Sequence, residues 1–240
     1  SEAFVKNLES LLRQGRILEA DIDKACRRVL EAKYTLGLFA DPYRFCDPKR
    51  LKTDIYNDAH RRAARDMAAE TFVLLKNEGD ILPLQKKGVI ALIGPLADTR
   101  NNLVGCWSTG DMPELYSTLR ESLSRSIGSK ATLLYSQGCN ICSDEALQKA
   151  STFGRPIPRV DDAKERERAL EIAREADVIV CAMGEMAEMS GESSSRASIS
   201  LPDVQMSLLQ DLVATGKPVV LLNFSGRPTV MAWEAAHVPA

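Results

Sequence analysis

The sequence predicts an α/β fold: a mostly parallel sheet sandwiched by helices, with a helical segment ahead of it. Three observations carry this. Residues 89–94 (VIALIG) and 178–183 (VIVCAM) are short, uninterrupted apolar runs, as in strands covered on both faces, and 219–224 (VVLLNF) reads as a further strand; a strand with one wet face would alternate. Amphipathic helical stretches separate these runs, and strand–helix–strand order of this kind makes right-handed parallel crossovers. Up to residue 84 the chain reads as helices, a loop and a linker, and the alternation of strands with helices begins only after it.

In chain order, Ile22, Ala25, Cys26, Val29 and Leu30 recur at helical spacing, with Asp21 as cap and Gly37 as stop, so the first forty residues read as two helices. Asp41-Pro42 breaks the chain, and residues 44–52 form a loop. A long helix over 56–75 puts Ala59, Ala63, Met67, Ala68 and Thr71 on one stripe. Lys76-Asn77-Glu78-Gly79 stops it, and Ile81-Leu82-Pro83-Leu84 is an extended linker. Beyond the strand at 89–94 come a helix over 115–127, a strand at 132–135 and an irregular stretch over 137–162 that wraps the surface. A charged amphipathic helix over 162–175 then leads into the strand at 178–183. After a loop over 184–202 come a helix over 203–214, the turn Gly216-Lys217-Pro218 and the last strand. No internal repeat or low-complexity stretch is present.

The 240 residues, 45% hydrophobic and 27% charged, suffice for a substantial core. A net charge of −2 gives no electrostatic footprint for nucleic acid or an anionic membrane, and no apolar run reaches the ~20 residues of a membrane span. Basic clusters such as Arg27-Arg28 and Arg61-Arg62 sit among acids as solvated helix faces. The six cysteines are too sparse for a disulfide scaffold, and Cys139-x-x-Cys142 has no second ligand pair to make a zinc site. Gly94 is followed by Pro95, so the first strand carries no dinucleotide fingerprint; a P-loop and a GxSxG elbow are also missing. His60 and His237 read as structural. The residues imply no metal and no organic cofactor.

Ligand contacts in open parallel sheets gather on loops leaving the carboxyl ends of strands. Two loops qualify. One follows the strand at 89–94 and holds Asp98, Asn101, Asn102, Gly105, Trp107 and Ser108. The other, residues 184–202, carries Glu185, Glu188, Glu192 and Arg196, and loops of such length inside compact domains are functional or disordered. Taken one at a time, each glutamate reads first as a solvated loop residue.

An ordered run of motifs spans essentially the whole chain. It begins with Arg28-Val29-Leu30, Lys33 and Gly37-Leu38-Phe39, then Leu74-Leu75-Lys76-Asn77 with Leu82-Pro83-Leu84. Ile93-Gly94-Pro95, Ala97-Asp98, Gly105-Cys106-Trp107-Ser108, Tyr135 and Gly138-Cys139 follow. Ala176-Asp177-Val178, Gly184-Glu185, Ser190-Gly191-Glu192, Leu201-Pro202 and Gly216-Lys217-Pro218-Val219 complete it. This run resembles glycoside hydrolase family 3, the β-glucosidase-like retaining glycosidases.

The resemblance implies three parts: residues 1–50 as the helical end of a (β/α)8-type barrel domain, 51–84 as helix and interdomain linker, and 85–240 as a C-terminally truncated α/β sandwich domain. It implies a retaining, exo-acting β-glycosidase acting on terminal non-reducing β-D-glucosyl residues, with this chain supplying the acid/base glutamate. The nucleophile motif, an aspartate usually followed by tryptophan, lies upstream in the family and is absent here. Glu192 fits the acid/base position, several residues after the glycine-glutamate at the strand end and before Leu201-Pro202. Glu188 is the second choice and Glu185 a support. Arg196 would hydrogen-bond a sugar or hold the loop. Trp107 would offer a wall to a sugar face, although some relatives place that tryptophan four residues later, where this chain has Asp111; packing in the core is the simpler reading.

The implied partners are an oligosaccharide or β-glucoside substrate and the remainder of the barrel, with exposed apolar surface favouring homo-oligomers. The implied location is periplasmic or extracellular. Two other readings stand beside this one: a non-catalytic α/β module that binds sugar or contacts a subunit, and a relative that takes its acid/base from the barrel. The long glutamate-bearing loop argues against the last.

Overall fold

The computed structural model describes residues 2–108, 110, 112–150 and 155–240. The chain forms two compact units, Ser1–Val73 and Leu74–Ala240.

The first unit is helical: α1 (Glu2–Arg13), α2 (Glu19–Thr35), α3 (Arg50–Thr53) and α4 (Asp58–Glu70), none with a buried residue. Asp21 is not the cap of α2. It lies in the first turn, where its carboxylate accepts from the Leu18 N–H at 3.1 Å, so the helix starts earlier than its apolar spacing predicts. Helix α4 is shorter than the expected 56–75. Asn57 caps it by accepting from His60 N–H at 2.9 Å, and it stops at Glu70. Thr71 turns its hydroxyl onto the Ala68 carbonyl at 2.7 Å, and the β-branched and aromatic Thr71-Phe72-Val73 are weak helix formers.

The second unit is built on four parallel strands: β1 (Val89–Ile93), β2 (Thr132–Ser136), β3 (Val178–Gly184) and β4 (Val219–Phe224), in the order β2-β1-β3-β4. The crossovers carry α5 (Leu119–Ile127), α6 (Glu145–Lys149), α7 (Asp162–Glu175), α8 (Ala187–Ser190) and α9 (Asp203–Ala214); α10 (Ala232–His237) follows β4. Each central strand feeds two cores, one on each face. Ala91, Ile93, Ile179, Cys181, Met183 and Val219 pack with Ala169 and Ala173 of α7 and Leu208, Leu209 and Leu212 of α9. Ile90, Leu92, Val180, Ala182 and Val220 pack with Ile127, Ile141, Ile157, Met186 and Met189. Along β1 and β3 neither face meets water beyond the first residue, so these segments do not alternate, while β2 and β4 at the sheet edges are only partly covered.

Two readings of this unit need correction. The expected helix over 115–127 is a 3-10 turn (Pro113–Leu115) and then α5, because Thr118 and Glu121 close a capping box: Glu121 N–H donates to Thr118 Oγ1 at 3.2 Å, and Thr118 N–H donates to Glu121 Oε2 at 3.1 Å. The stretch over 137–162 does not merely wrap the surface. Asn140, Ile141, Gln148 and Ile157 are buried. Asn140 donates to the Val160 carbonyl at 3.0 Å and accepts from its N–H at 2.9 Å, while Gln148 donates to the Ile157 carbonyl at 3.0 Å. Side-chain amides replace the missing backbone ladder, which lets irregular backbone enter the interior.

Candidate active-site loop

The carboxyl ends of β1, β3 and β4 lie along one edge of the sheet, and the loops that leave them meet there. Gly184 ends β3 at φ +143°, where a Cβ would collide with the Phe224 backbone carbonyl of β4. This close approach brings the β3 and β4 loops together. Gln205, fully buried on α9, ties the same point down: its Nε2 donates to the Ile141 and Gly184 carbonyls at 2.6 and 2.9 Å, and its Oε1 accepts from Gly184 N–H at 2.8 Å.

Glu185 follows immediately, with a side chain only 1% exposed. Its carboxylate accepts from Ser225 Oγ at 2.6 Å, from Arg227 Nη2 at 2.7 Å and Nε at 3.2 Å, and from Arg196 Nη1. Burial pushes this carboxyl upward, but the hydrogen bonds from Arg227, Ser225 and Arg196 together outweigh it and hold the group below the usual carboxylate range. Each guanidinium also holds a backbone carbonyl of the loop: Arg227 Nη2 donates to Met189 O at 2.8 Å, and Arg196 Nη2 to Ser200 O at 3.1 Å. Asn102, from the loop after β1, adds a clasp. It accepts from Ala187 N–H at 2.7 Å and donates to the Glu185 carbonyl at 3.1 Å. Met186 and Met189 root the segment in the core.

Above this root the loop loosens. Glu192 is exposed, and among the described residues its carboxylate has neither a hydrogen bond nor an ion pair; its N–H points to Cys106 Sγ at 3.4 Å. Ser193 next to it is left-handed, at φ +64°. Glu188 is half-buried on α8. Trp107 is not packed in the core: it stands 81% exposed on the β1 loop, next to the Cys106 that meets Glu192. Asp111 lies outside the described residues. The structure thus brings Glu185 and Arg196 into one cluster and sets the Glu192 backbone beside the Cys106–Trp107 corner.

Sequence reasoning passed over Ser225 and Arg227. Ser225-Gly226-Arg227 follows directly on β4, so the strand-end rule that singled out the other two loops would have found it. Asp98 serves structure instead, accepting from Thr118 Oγ1 at 2.8 Å and Arg120 Nη1 at 2.9 Å. Cys139 and Cys142 are buried free thiols, and burial pushes Cys139 up to about 12, far from any reactive thiolate. Among the described residues no cluster of His, Cys, Asp or Glu could hold a metal ion, and no helix is long and apolar enough to cross a membrane.

A parallel sheet packed on both faces, with its polar cluster and long loop at the carboxyl edge, defines the class: an α/β domain of the open-sheet kind, in which ligand contacts generally gather on strand-end loops. Residues 72–240, more than half the chain, match the glycosyl hydrolase family 3 C-terminal domain. The chain belongs to that family. It is 36% identical to a periplasmic β-glucosidase of Salmonella typhimurium, over 100% of this chain and 32% of that protein. It is 29% identical to a β-xylosidase of Formosa agariphila, over 91% of this chain and 28% of that protein. The crystal structure of a β-glucosidase from Listeria innocua in complex with glucose superposes with a TM-score of 0.77 at 31% identity, covering 100% of this chain and 30% of that one. The chain therefore spans about a third of the length of the relatives it matches.

Proposed function

We propose that this chain is the acid/base-bearing part of a retaining, exo-acting β-glycosidase that removes terminal non-reducing β-D-glucosyl residues. The observation that carries this reading is the loop over the sheet's carboxyl edge, fixed at its root by a buried ion cluster and presenting Glu192 at an exposed crown. Retaining hydrolysis uses two carboxyl groups about 5–5.5 Å apart. Glu192 is the proton donor to the leaving oxygen in the first step and the base that takes a proton from water in the second. The attacking carboxylate is supplied by the barrel domain of the full-length enzyme. Enclosure beside that second carboxylate is what would keep Glu192 protonated near neutrality.

Trp107 turns an exposed ring toward solvent, and such a face suits the apolar C–H side of a sugar. Glu188, half-buried on α8, is the second glutamate of this loop assigned to the substrate side. Arg196, engaged by Glu185 and the Ser200 carbonyl, holds the loop. The glucosyl preference is supported by the 36% identity to the periplasmic β-glucosidase, against 29% to the β-xylosidase of Formosa agariphila. A site of action outside the cytoplasm is supported by the periplasmic relative.

In the full-length enzyme, Glu192→Gln is expected to lower turnover of β-glucosides with poor leaving groups by about 10²- to 10⁴-fold. In Glu192→Gly, azide should enter the vacated space and restore the second step, giving a β-glycosyl azide. Undiminished turnover of cellobiose by Glu192→Gln would overturn the assignment. A sugar-binding module without chemistry would bind the same saccharide in the full-length protein and hydrolyse none of it.

A further inference from the structure

We infer that Arg227, on the loop after β4, is a positioning residue for the acid/base glutamate, acting with Glu185 as a clamp on both ends of the segment that carries it. This rests on the reading of residues 185–202 as the acid/base loop. One buried carboxylate gathers two guanidiniums: Arg227 reaches from Glu185 to the Met189 carbonyl, three residues before Glu192, and Arg196 reaches from Glu185 to the Ser200 carbonyl, eight residues after it. Ser225 Oγ fills a further acceptor site of the same carboxylate at 2.6 Å. Both ends of the segment are therefore referred to one point on the sheet edge.

Between the clamped ends, the crown is tied across to the β1 loop through the Glu192 N–H···Sγ contact with Cys106 at 3.4 Å, a weak acceptor at long range. The position of the Glu192 carboxyl is thus inherited from the clamp. Proton transfer is steep in geometry, and a 1 Å misplacement of a catalytic group costs on the order of 100-fold. Only arginine suits the Arg227 position, because its planar fork serves the carboxylate through Nε and Nη2 while Nη2 also serves the carbonyl. Lysine would keep the charge and lose the fork.

The test is leaving-group dependence in the full-length enzyme, read as kcat/KM, which reports the glycosylation step that acid catalysis assists. Arg227→Met and Arg227→Lys should each lower kcat/KM for cellobiose by about 10- to 100-fold. The same variants should lower it less than about 3-fold for 2,4-dinitrophenyl β-glucoside, whose leaving group needs no proton. Ser225→Ala, a milder lesion of the same cluster, should show the same selectivity with a smaller loss. On a Glu192→Gln background, Arg227→Met should add less than about 3-fold, since a clamp has nothing left to position. Equal losses on both substrates, or full additivity with Glu192→Gln, would overturn the inference. If Arg227→Met is selective while Glu192→Gln spares cellobiose, the clamp stands and the acid is another glutamate of the loop. If neither variant is selective, both readings fail.

Discussion

Glu185 and Glu192 sit seven residues apart on one loop and have opposite surroundings. Glu185 is enclosed at the strand end with Ser225, Arg196 and Arg227 on its oxygens, in a position where the backbone itself is pinned by Asn102 and, through Gly184, by Gln205. Glu192 stands in solvent beside a left-handed serine. A buried carboxylate is tolerable only when its charge is matched and its lone pairs are filled, so Glu185 is ordered by necessity. An exposed one is under no such demand. The contrast teaches how a loop can hold a side chain in place without enclosing it: the polar contacts are concentrated at the root, and the crown stays open to solvent.

The sharpest way to break this contrast is to remove the root. Glu185→Met leaves two arginines facing each other without a counter-charge, and truncating one side of a buried ion cluster costs about 3–5 kcal/mol. Chemical denaturation should show a loss of that order, with early proteolytic cleavage between residues 186 and 200.

A smaller effect comes from acid. Because Glu185 titrates below its unfolded value in the folded state, its stabilising contribution is present above the ordinary glutamate pKa of about 4.3 and is lost as pH falls through the lowered folded value. Denaturation midpoints measured downward from pH 5 should therefore fall more steeply for the native sequence than for Glu185→Gln. Parallel curves would show that the cluster does not carry the proton linkage.

The smallest effect belongs to the crown. Glu192→Gln should leave the denaturation midpoint and the loop's proteolytic pattern unchanged, since substitutions at exposed positions without partners rarely move stability. A marked destabilisation would mean that this carboxylate has a structural partner, and the comparison would dissolve.

Much of the fold can be read directly from residue order. The boundaries of α7, α9 and β4 coincide with the segments their periodicity marks, because apolar runs and turn residues act over a few positions. The segment between β3 and α9 also stands out as a polar stretch too long for a connector, although the short helix α8 within it does not. Two helix boundaries escape the apolar pattern: the Thr118–Glu121 capping box delays α5, and the Thr71-Phe72-Val73 segment ends α4 early.

What local pattern could specify was therefore the sheet, its helices and the edge on which a site would form. Which polar residues go inside was settled elsewhere. Arg227 reaches a carboxylate 42 positions earlier, Asn102 a backbone segment 85 positions later, and Gln205 a carbonyl 64 positions earlier. Each of these residues would read as surface in its own neighbourhood. Gln205 is buried while Asn102 and Arg227 are half-buried, and drawing such groups out of water is favourable only once the sheet has brought donor and acceptor together, since an unmatched polar group in the interior costs more than its hydrogen bond returns.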